Sequence, residues 1–595
     1  MGDLVTKKLA KPIQLTDQIA KAADEASGFK QDCAEVKTKT EKLAALLRQA
    51  ARASAEMYER PAIRIIDDTG QVLESALSLV LKCKPNGIMK RVFTMKPSQA
   101  FRKMSIQLEN SIGDVSWLLR VSATGENRED HGMGLPPITL TEPILGYIWG
   151  QIALLHTDSR GDAAASLVSL AGDNDRNYKM IIDEGGVPEL LKVLKEGKPE
   201  AQENAAKAIG LLGRDPESVE QIMMSGVCTV FAKLLKEGPM KVQAEIASAV
   251  AKLAKNHPKS QDLFNQNNVV RLLFGHLSFE TIQDHSKYTI PAKTTTMGAV
   301  VNAASASKEK EKTGTLANRL PHSNGNQSHH GVNSRGRENE DPSTKLYLKE
   351  MAASALLYLA KGNSQICRSI TESRALLCFA VLIEKGSERV QRISAEAVME
   401  ITAVAEKDRE LRISAFKPNS PTCKAVVDQL LAIVEGEKAG LLVPCVRAIG
   451  NLARTFKATE TRMVAPLVRL LEEREADVAT EAALALGKFT EEENFLRVEH
   501  SRAIVAAEGA RHLVQLVYFG DGQEVRVAAL RLLCCVSWHV AESPKLAEAD
   551  VLKVVEWASK QSFVTHDESL ERRVGDAKSK LEIYQSRNSV AFSNN

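Results

Sequence analysis

The apolar positions of this chain follow two different rhythms. From about residue 143 they recur in blocks: a short apolar helix, a charged turn, then a longer Ala-rich helix. EGGVPELLKVLKEGKPEAQENAAKAIGLLG begins at Glu184 and SGVCTVFAKLLKEGPMKVQAEIASAVAKLA at Ser225, with NNVVRLLFGHL opening a third block. Gly186 and Gly226, 40 residues apart, read as equivalent turn glycines, and Pro188 sits where a first-turn proline is favoured. A six-residue signature of small and apolar residues closes the longer helix: SLVSLA (166–171), AIGLLG (208–213), AVAKLA (249–254), ALLYLA (355–360), AVMEIT (397–402), AIGNLA (448–453), ALGKFT (485–490) and ALRLLC (529–534). The spacings are 42, 41, 106, 42, 51, 37 and 44. A period near 42 built from a helix pair or triplet predicts an α-solenoid. Ala and Gly in the signature let neighbouring helices approach closely. No block can bury its apolar face alone, so the blocks fold as a stack.

The spacing of 106 is one period plus an insertion, expected at about 285–345. It includes SASKEKEKTGTLANRLPHSNGNQSHHGVNSRGRENEDPSTK, which is polar, rich in Gly, Asn and Ser, and aperiodic, and so predicts a disordered loop between two helices of one repeat. His329 and His330 have no further ligand at metal spacing. Upstream the rhythm changes to four amphipathic segments near 13–28, 31–57, 62–83 and 98–121. In the last, Phe101, Met104, Leu108, Ile112, Val115 and Leu119 step by three or four to make one stripe. The expected fold is all-α: a four-helix bundle (1–122), a linker (123–142), a solenoid of about nine repeats (143–560) and a C-terminal tail with a last helix (561–595).

Composition supports that picture and narrows the chemistry. Aromatics are 5 % against 44 % apolar overall, as suits an Ala- and Leu-rich helical chain. Residues 1–120 hold 20 Lys and Arg against 14 Asp and Glu, a net of +6; the rest holds 58 against 61, a net of −3. The basic character therefore belongs to the N-terminal region. No run of about 18 apolar residues predicts a bilayer span, and the first residues lack the apolar core of a secretory signal. Nine Cys at scattered spacings, without a CxxC pair, predict reduced thiols in a cytosolic protein. For the adjacent pair Cys534–Cys535, core and surface in turn are expected. No phosphate-binding loop, dinucleotide-binding glycine pattern, nucleophile elbow or zinc spacing occurs, so neither catalysis nor a metal or cofactor is expected. Glu491–Glu492–Glu493 reads as solvated charge in a turn.

The one concentrated charge feature is KCKPNGIMKRVFTMKPSQAFRK at 82–103. Lys82, Lys84, Lys90, Arg91, Lys96, Arg102 and Lys103 are basic, none is acidic, and Phe93 lies among further apolar residues. Such a surface binds anions. Apolar residues able to enter an interface favour anionic lipid, and the lack of a reading motif or regular aromatic platform disfavours nucleic acid. Pro85, Gly87 and Pro97 place the stretch on the link between the third and fourth helices. MGDLVT formally fits an N-myristoylation pattern, with Asp3 an unfavourable neighbour, and Cys83 is a second acylation candidate.

The second candidate surface is the solenoid groove. Nuclear-import adaptors of similar repeat pattern hold basic peptides with a ladder of Asn and Trp. Here the Asn position reads Ser169, Leu211, Lys252, Tyr358, Glu400, Asn451, Lys488 and Leu532. The Trp position reads Ala165, Lys207, Ser248, Ser354, Glu396, Arg447, Leu484 and Ala528. With one Asn and no Trp, an import receptor is not expected. Lys207, Lys252, Arg447, Asn451 and Lys488 instead suit an acidic or polar partner segment, against the plainer reading of solvated groove positions.

GGVPELLKVL and CVRAIGNLA resemble armadillo repeats, and the N-terminal MGDLVTKKLAKPIQLTDQIAKAADEASGFKQDC and RPAIRIIDDTGQVLESALSLVLKCKPNGIMKRVF resemble the plant armadillo-repeat-only family. The resemblance runs the length of the chain. It implies a non-enzymatic scaffold, cytoplasmic and peripheral at the plasma membrane of tip-growing cells, which restrains Rho-type GTPase signalling through GTPase-activating proteins. It also implies an N-terminal bundle akin to helical membrane-targeting bundles. A nuclear or transcriptional adaptor that uses the basic stretch on nucleic acid is the competing reading, and a ubiquitin-ligase component a more distant one.

Overall fold

The computed structural model describes residues 2–53, 59–83, 97–122, 136–140, 143–279, 281, 340–373, 375–418, 420–436, 438–456 and 461–593. Among them every regular element is helical. The chain divides into two compact units, Met1–Val227 and Cys228–Asn595.

The first unit opens with four amphipathic helices, α1 (Gly2–Asp24), α2 (Lys30–Arg52), α3 (Glu59–Leu81) and α4 (Pro97–Ser122). α1 starts earlier than its apolar pattern suggests, because Val5 and Leu9 already enter the core. The stripe on α4 faces that core through Phe101, Met104, Leu108 and Val115, with Ile112 and Leu119 half-buried at its margin. The segment expected as a linker ends in structure rather than slack. Pro137–Leu140 is a 3-10 turn packed on α4. The Ile138 N–H donates to Asp114 Oδ1 at 2.8 Å, and a Cβ on Gly113 would lie 2.7 Å from Pro137 Cγ. Helix α5 (Pro143–Leu154) then contributes Leu145 and Trp149 to the bundle's own core. α6 (Arg160–Asp173), α7 (Asp175–Asp183), α8 (Gly186–Glu196), α9 (Pro199–Leu212) and α10 (Pro216–Met224) complete the unit.

Burial pushes the Asp114 carboxyl up to about 6, with Asp68 adding to the effect. A carboxyl whose folded pKa is raised stabilises the fold below its unfolded value of 3.8, and that contribution is lost as pH rises through about 6. Asp114→Asn keeps an oxygen for the Ile138 N–H. It should be more stable than wild type at pH 7.5 by on the order of 2–3 kcal/mol, a gain that disappears near pH 4. Urea midpoints of the two proteins against pH check this.

The second unit contains α11 (Val227–Glu237), α12 (Met240–Ala254), α13 (Pro258–Gln266), α14 (Val269–Ser278), α15 (Pro342–Ala360), α16 (Ser364–Glu372), α17 (Ala375–Lys385), α18 (Glu388–Lys407), α19 (Arg409–Ala415), α20 (Pro421–Glu435), α21 (Leu442–Asn451), α22 (Val464–Arg469), α23 (Ala476–Thr490), α24 (Arg497–Ala506), α25 (Gly509–Phe519), α26 (Gln523–His539), α27 (Pro544–Glu548), α28 (Val551–Ala558) and α29 (Glu568–Ser593). The repeat is a triplet, for example α16–α17–α18. Its third helices stack directly in the order α12, α15, α18, α21, α23, α26, α29. The signature hexamers fall at or near the ends of third helices: AIGLLG and AIGNLA run just past the ends of α9 and α21, at Leu212 and Asn451, whereas α6, α18 and α26 continue beyond theirs.

Two irregular spacings have local causes. The value of 37 arises because the first helix of that repeat is reduced to 3-10 turns at Ala453–Thr455 and Thr461–Met463. The value of 51 reflects the longer helices α18 and α20.

Two expected boundaries move. α15 begins at Pro342, inside the insertion predicted to run to 345, with Asp341 as its N-cap accepting from Thr344 N. The rest of the insertion lies outside the described residues. The array does not stop at 560, because α29 buries Leu570, Val574, Ala577 and Leu581 and packs on α26 as the last third helix.

A register signal also emerges that the hexamers do not carry. First helices are capped by Asn174, Asp215, His257, Asn363 and Asp408, each accepting from a backbone N–H two or three residues on. The turn before the second helix needs a left-handed residue, met by Gly185 (φ 82°) and Gly226 (φ 80°) and, off glycine, by Asn268, Glu508 and Asp550. Gly185, not Gly186, is therefore the partner of Gly226. Gly186 has another reason to lack a side chain: its Cβ would lie 2.6 Å from Ile181 Cγ2.

Candidate functional site

The first surface is one end of the bundle. Lys84, Lys90, Arg91, Phe93 and Lys96 lie outside the described residues, so the basic stretch is represented by Lys82, Arg102 and Lys103, all exposed. Ser27 N and Gly28 N each donate to Cys83 O at 3.1 Å, which ties the α1–α2 turn to the end of α3. Phe29 then lies 6.0 Å, ring to ring, from buried Phe101 at the start of α4. Three chain segments thus converge, and the turn adds two exposed residues, Phe29 and Lys30. They are more than 50 positions from Lys82 in sequence, and no pattern along the chain links them to it. Leu81 is a further exposed apolar group at this end.

The charge pattern sets this end apart. Along the sides of the bundle Lys8 pairs with Asp67 at 2.6 Å, Lys11 with Glu74 at 2.6 Å, Lys37 with Asp24 at 2.6 Å, Lys39 with Glu109 at 2.7 Å and Arg48 with Asp17 at 2.7 Å. Among the described residues Lys30, Lys82, Arg102 and Lys103 form no ion pair. Cys83 is buried, its Sγ donating to Leu79 O at 3.7 Å, and so is not presented for acylation. Burial pushes its thiol pKa up, and pushes that of neighbouring Cys33 up to about 12, which keeps both thiols protonated and inert.

The second surface is the stack of third helices. Lys207, half-buried on α9, belongs to the first unit; Lys252 is exposed on α12. Arg447, Asn451 and Lys488 are brought together by α18, α21 and α23. Lys488 Nζ donates to Glu406 Oε2 at 2.8 Å and to Asn451 Oδ1 at 2.6 Å. Asn451 is 4 % exposed, and its amide N–H groups go to Met399 O at 3.4 Å and Thr402 Oγ1 at 3.2 Å. Arg447 is bidentate on Glu481, which raises its pKa. The one Asn of the ladder is thus spent inside the stack, its oxygen on Lys488 and its nitrogen on α18, rather than held out for a bound backbone. Arg447 and Lys488 are likewise matched by carboxylates. Glu406 and Glu481 were not singled out in the sequence, because the pairings cross repeats.

A recess of about 410 Å³ in the first unit is lined by Ile182, Val187, Pro188, Gln221 and Met224 among others, with Asp183 its one ionisable group. Among the described residues no cluster of His, Cys, Asp or Glu could hold a metal ion, and no single helix is long and apolar enough to cross a membrane. Cys534 is buried and Cys535 half-buried.

Two families match parts of the chain. Residues 174–214 match the armadillo/beta-catenin-like repeat, a range that runs from the Asn174 cap through the triplet α7–α8–α9. Residues 6–123 match a domain of unknown function, DUF7792, and contain most of α1 and all of α2 to α4. The stacked triplets make this an all-α solenoid, and the match shows that residues 174–214 are similar to an armadillo repeat. No curated protein matches the chain. Similar solved structures include two crystal structures of engineered proteins from the Northeast Structural Genomics Consortium. One has a TM-score of 0.45 at 20 % identity, covering 73 % of this chain and 98 % of its own. The other has a TM-score of 0.34 at 18 % identity, covering 57 % and 98 %.

Proposed function

We propose that the chain is a non-enzymatic scaffold, held at the cytoplasmic face of the plasma membrane by anionic lipids at the bundle end, with its armadillo array binding protein partners there. Armadillo repeats are protein-binding modules, which supports the scaffold part. The observation that carries the lipid part is the cluster of Lys30, Lys82, Arg102 and Lys103 without ion pairs among the described residues, beside exposed Phe29 and Leu81. Cations flanking exposed apolar residues suit an anionic leaflet, where each contributes about 1 kcal/mol. Either contact alone is weak; a lipid and a protein contact on one chain reinforce each other through effective concentration. The resemblance to plant armadillo-repeat-only proteins extends the proposal to Rho-type GTPase signalling in tip growth, with GTPase-activating proteins as partners.

The test is cosedimentation of the full chain with vesicles. Wild type should pellet with phosphatidylserine or phosphoinositide vesicles, not with phosphatidylcholine, and less so as salt rises. Lys82→Glu, Arg102→Glu and Lys103→Glu together should weaken partition by on the order of a hundredfold, from about 3 kcal/mol of lost attraction. A wild-type chain that ignores acidic vesicles at low salt but binds duplex DNA would replace this reading with a nuclear adaptor.

A further inference from the structure

In the second unit the last two third helices leave a furrow whose charges are not matched. The exposed strip of α26 runs through Arg531, Cys535 and Trp538, spaced four and three residues apart and therefore on one face. α29 faces it with Arg573 and Lys580, seven apart and again on one face. Arg531 is paired with Asp567 at 2.6 Å. Arg573 Nη1 instead lies 3.3 Å from Cys535 Sγ, a weak acceptor, and Lys580 Nζ lies 4.3 Å from the centroid of the Trp538 ring. Neither Arg573 nor Lys580 has a carboxylate at ion-pair distance among the described residues. The neighbouring cations of the same helix do: Arg572 has Glu568 and Lys578 has Glu556, each at 3.7 Å. Trp538 is 47 % exposed, a large apolar ring left open beside two unmatched charges.

We propose that this furrow docks an acidic segment of a partner protein, with Arg573 and Lys580 engaging its carboxylates and Trp538 packing against an apolar residue between them. The proposal deepens the scaffold reading and rests on it. Charge complementarity selects the occupant. Further along the stack Arg447 and Lys488 are neutralised by Glu481 and Glu406, so the surplus positive charge sits at this end. Glu491 also acts electrostatically on Cys535, and burial raises its carboxyl pKa.

The experiment uses the full chain and three labelled probes read by fluorescence anisotropy: a short Asp/Glu peptide carrying interspersed Leu, a lysine-rich peptide, and a single-stranded oligonucleotide. The acidic peptide should bind and the lysine-rich one should not. Arg573→Glu with Lys580→Glu should weaken the acidic peptide roughly tenfold or more, and Trp538→Ala should weaken it several-fold. Arg572→Glu, on the flank already matched by Glu568, should leave it unchanged. Circular dichroism and melting temperature establish that each variant is folded. Acidic-peptide binding indifferent to the double charge reversal overturns the proposal, as does binding of the oligonucleotide in its place. Binding of the lysine-rich peptide alone overturns the proposal while leaving the array a peptide-binding surface. Failure of all three probes counts against both this furrow and the scaffold reading.

Discussion

Gly450→Val is expected to destabilise the unit Cys228–Asn595 by about 3 kcal/mol or more. Gly450 lies on α21 where that helix meets α23, and a Cβ built there would stand 2.8 Å from Ala485 Cα and 2.9 Å from Ala485 Cβ. The obstructing atoms include backbone, so no side-chain rotation relieves the clash and the two helices must separate. Separation also pulls on the adjacent Asn451, whose hydrogen bonds join α18, α21 and α23. A second glycine of the same stack supplies the control. Gly487, on α23, has nothing within 4 Å of a built Cβ. Gly487→Ala should therefore gain about 0.5–1 kcal/mol from helix propensity alone. Urea denaturation of both variants decides the matter: equal shifts of the same sign would show that α21 and α23 are not in close contact.

The second large effect is expected in the first unit. Trp149→Ala should cost about 3–5 kcal/mol. Trp149 on α5 is buried in the same core as Leu43, Leu73 and Val115 and stacks on Trp117 at 6.2 Å. Its indole Nε1–H donates to Glu184 Oε2 at 2.8 Å, and Glu184 is itself buried and lies 3.7 Å from Arg64 of α3. Trp149→Phe keeps the ring and loses the donor, so it should cost less, about 1–3 kcal/mol. Because α5 and the bundle share one core, the loss should appear in a single cooperative transition of Met1–Val227. A Trp149→Ala protein with an unchanged midpoint would mean that the bundle folds without α5. A corollary concerns truncation: a bundle ending at residue 122 exposes the face that Leu145 and Trp149 cover.

Much of this architecture was legible in the order of the residues. Local rules fix a helix, and the chain states them plainly: apolar stripes stepping by three and four, small residues in the signature hexamers, proline near helix starts. The repeat period follows from them, because each triplet has the same stacking problem to solve. That the hexamers are rich in Ala and Gly is a requirement of close approach, and Gly450 against Ala485 is that requirement in atomic form.

What the sequence left open depends on distances between residues far apart along the chain. The hexamers do not reveal which groove cations are already neutralised, because Arg447 meets Glu481 and Lys488 meets Glu406 only once neighbouring repeats stack. The linker's packing on Asp114 and Gly113, and the entry of Trp149 into the bundle core, follow from surface shape and not from composition. Phe29 and Lys30 join Lys82 and Arg102 only because Ser27 and Gly28 bond to Cys83 and three chain segments close one end of the bundle. The sequence alone determined the helices, their period and the excess of positive charge near the N-terminus, since propensity, periodicity and charge are local sums. The tertiary structure decided which charges are paired and which are left open, since pairing is set by proximity in space, and burial by the neighbours that folding brings.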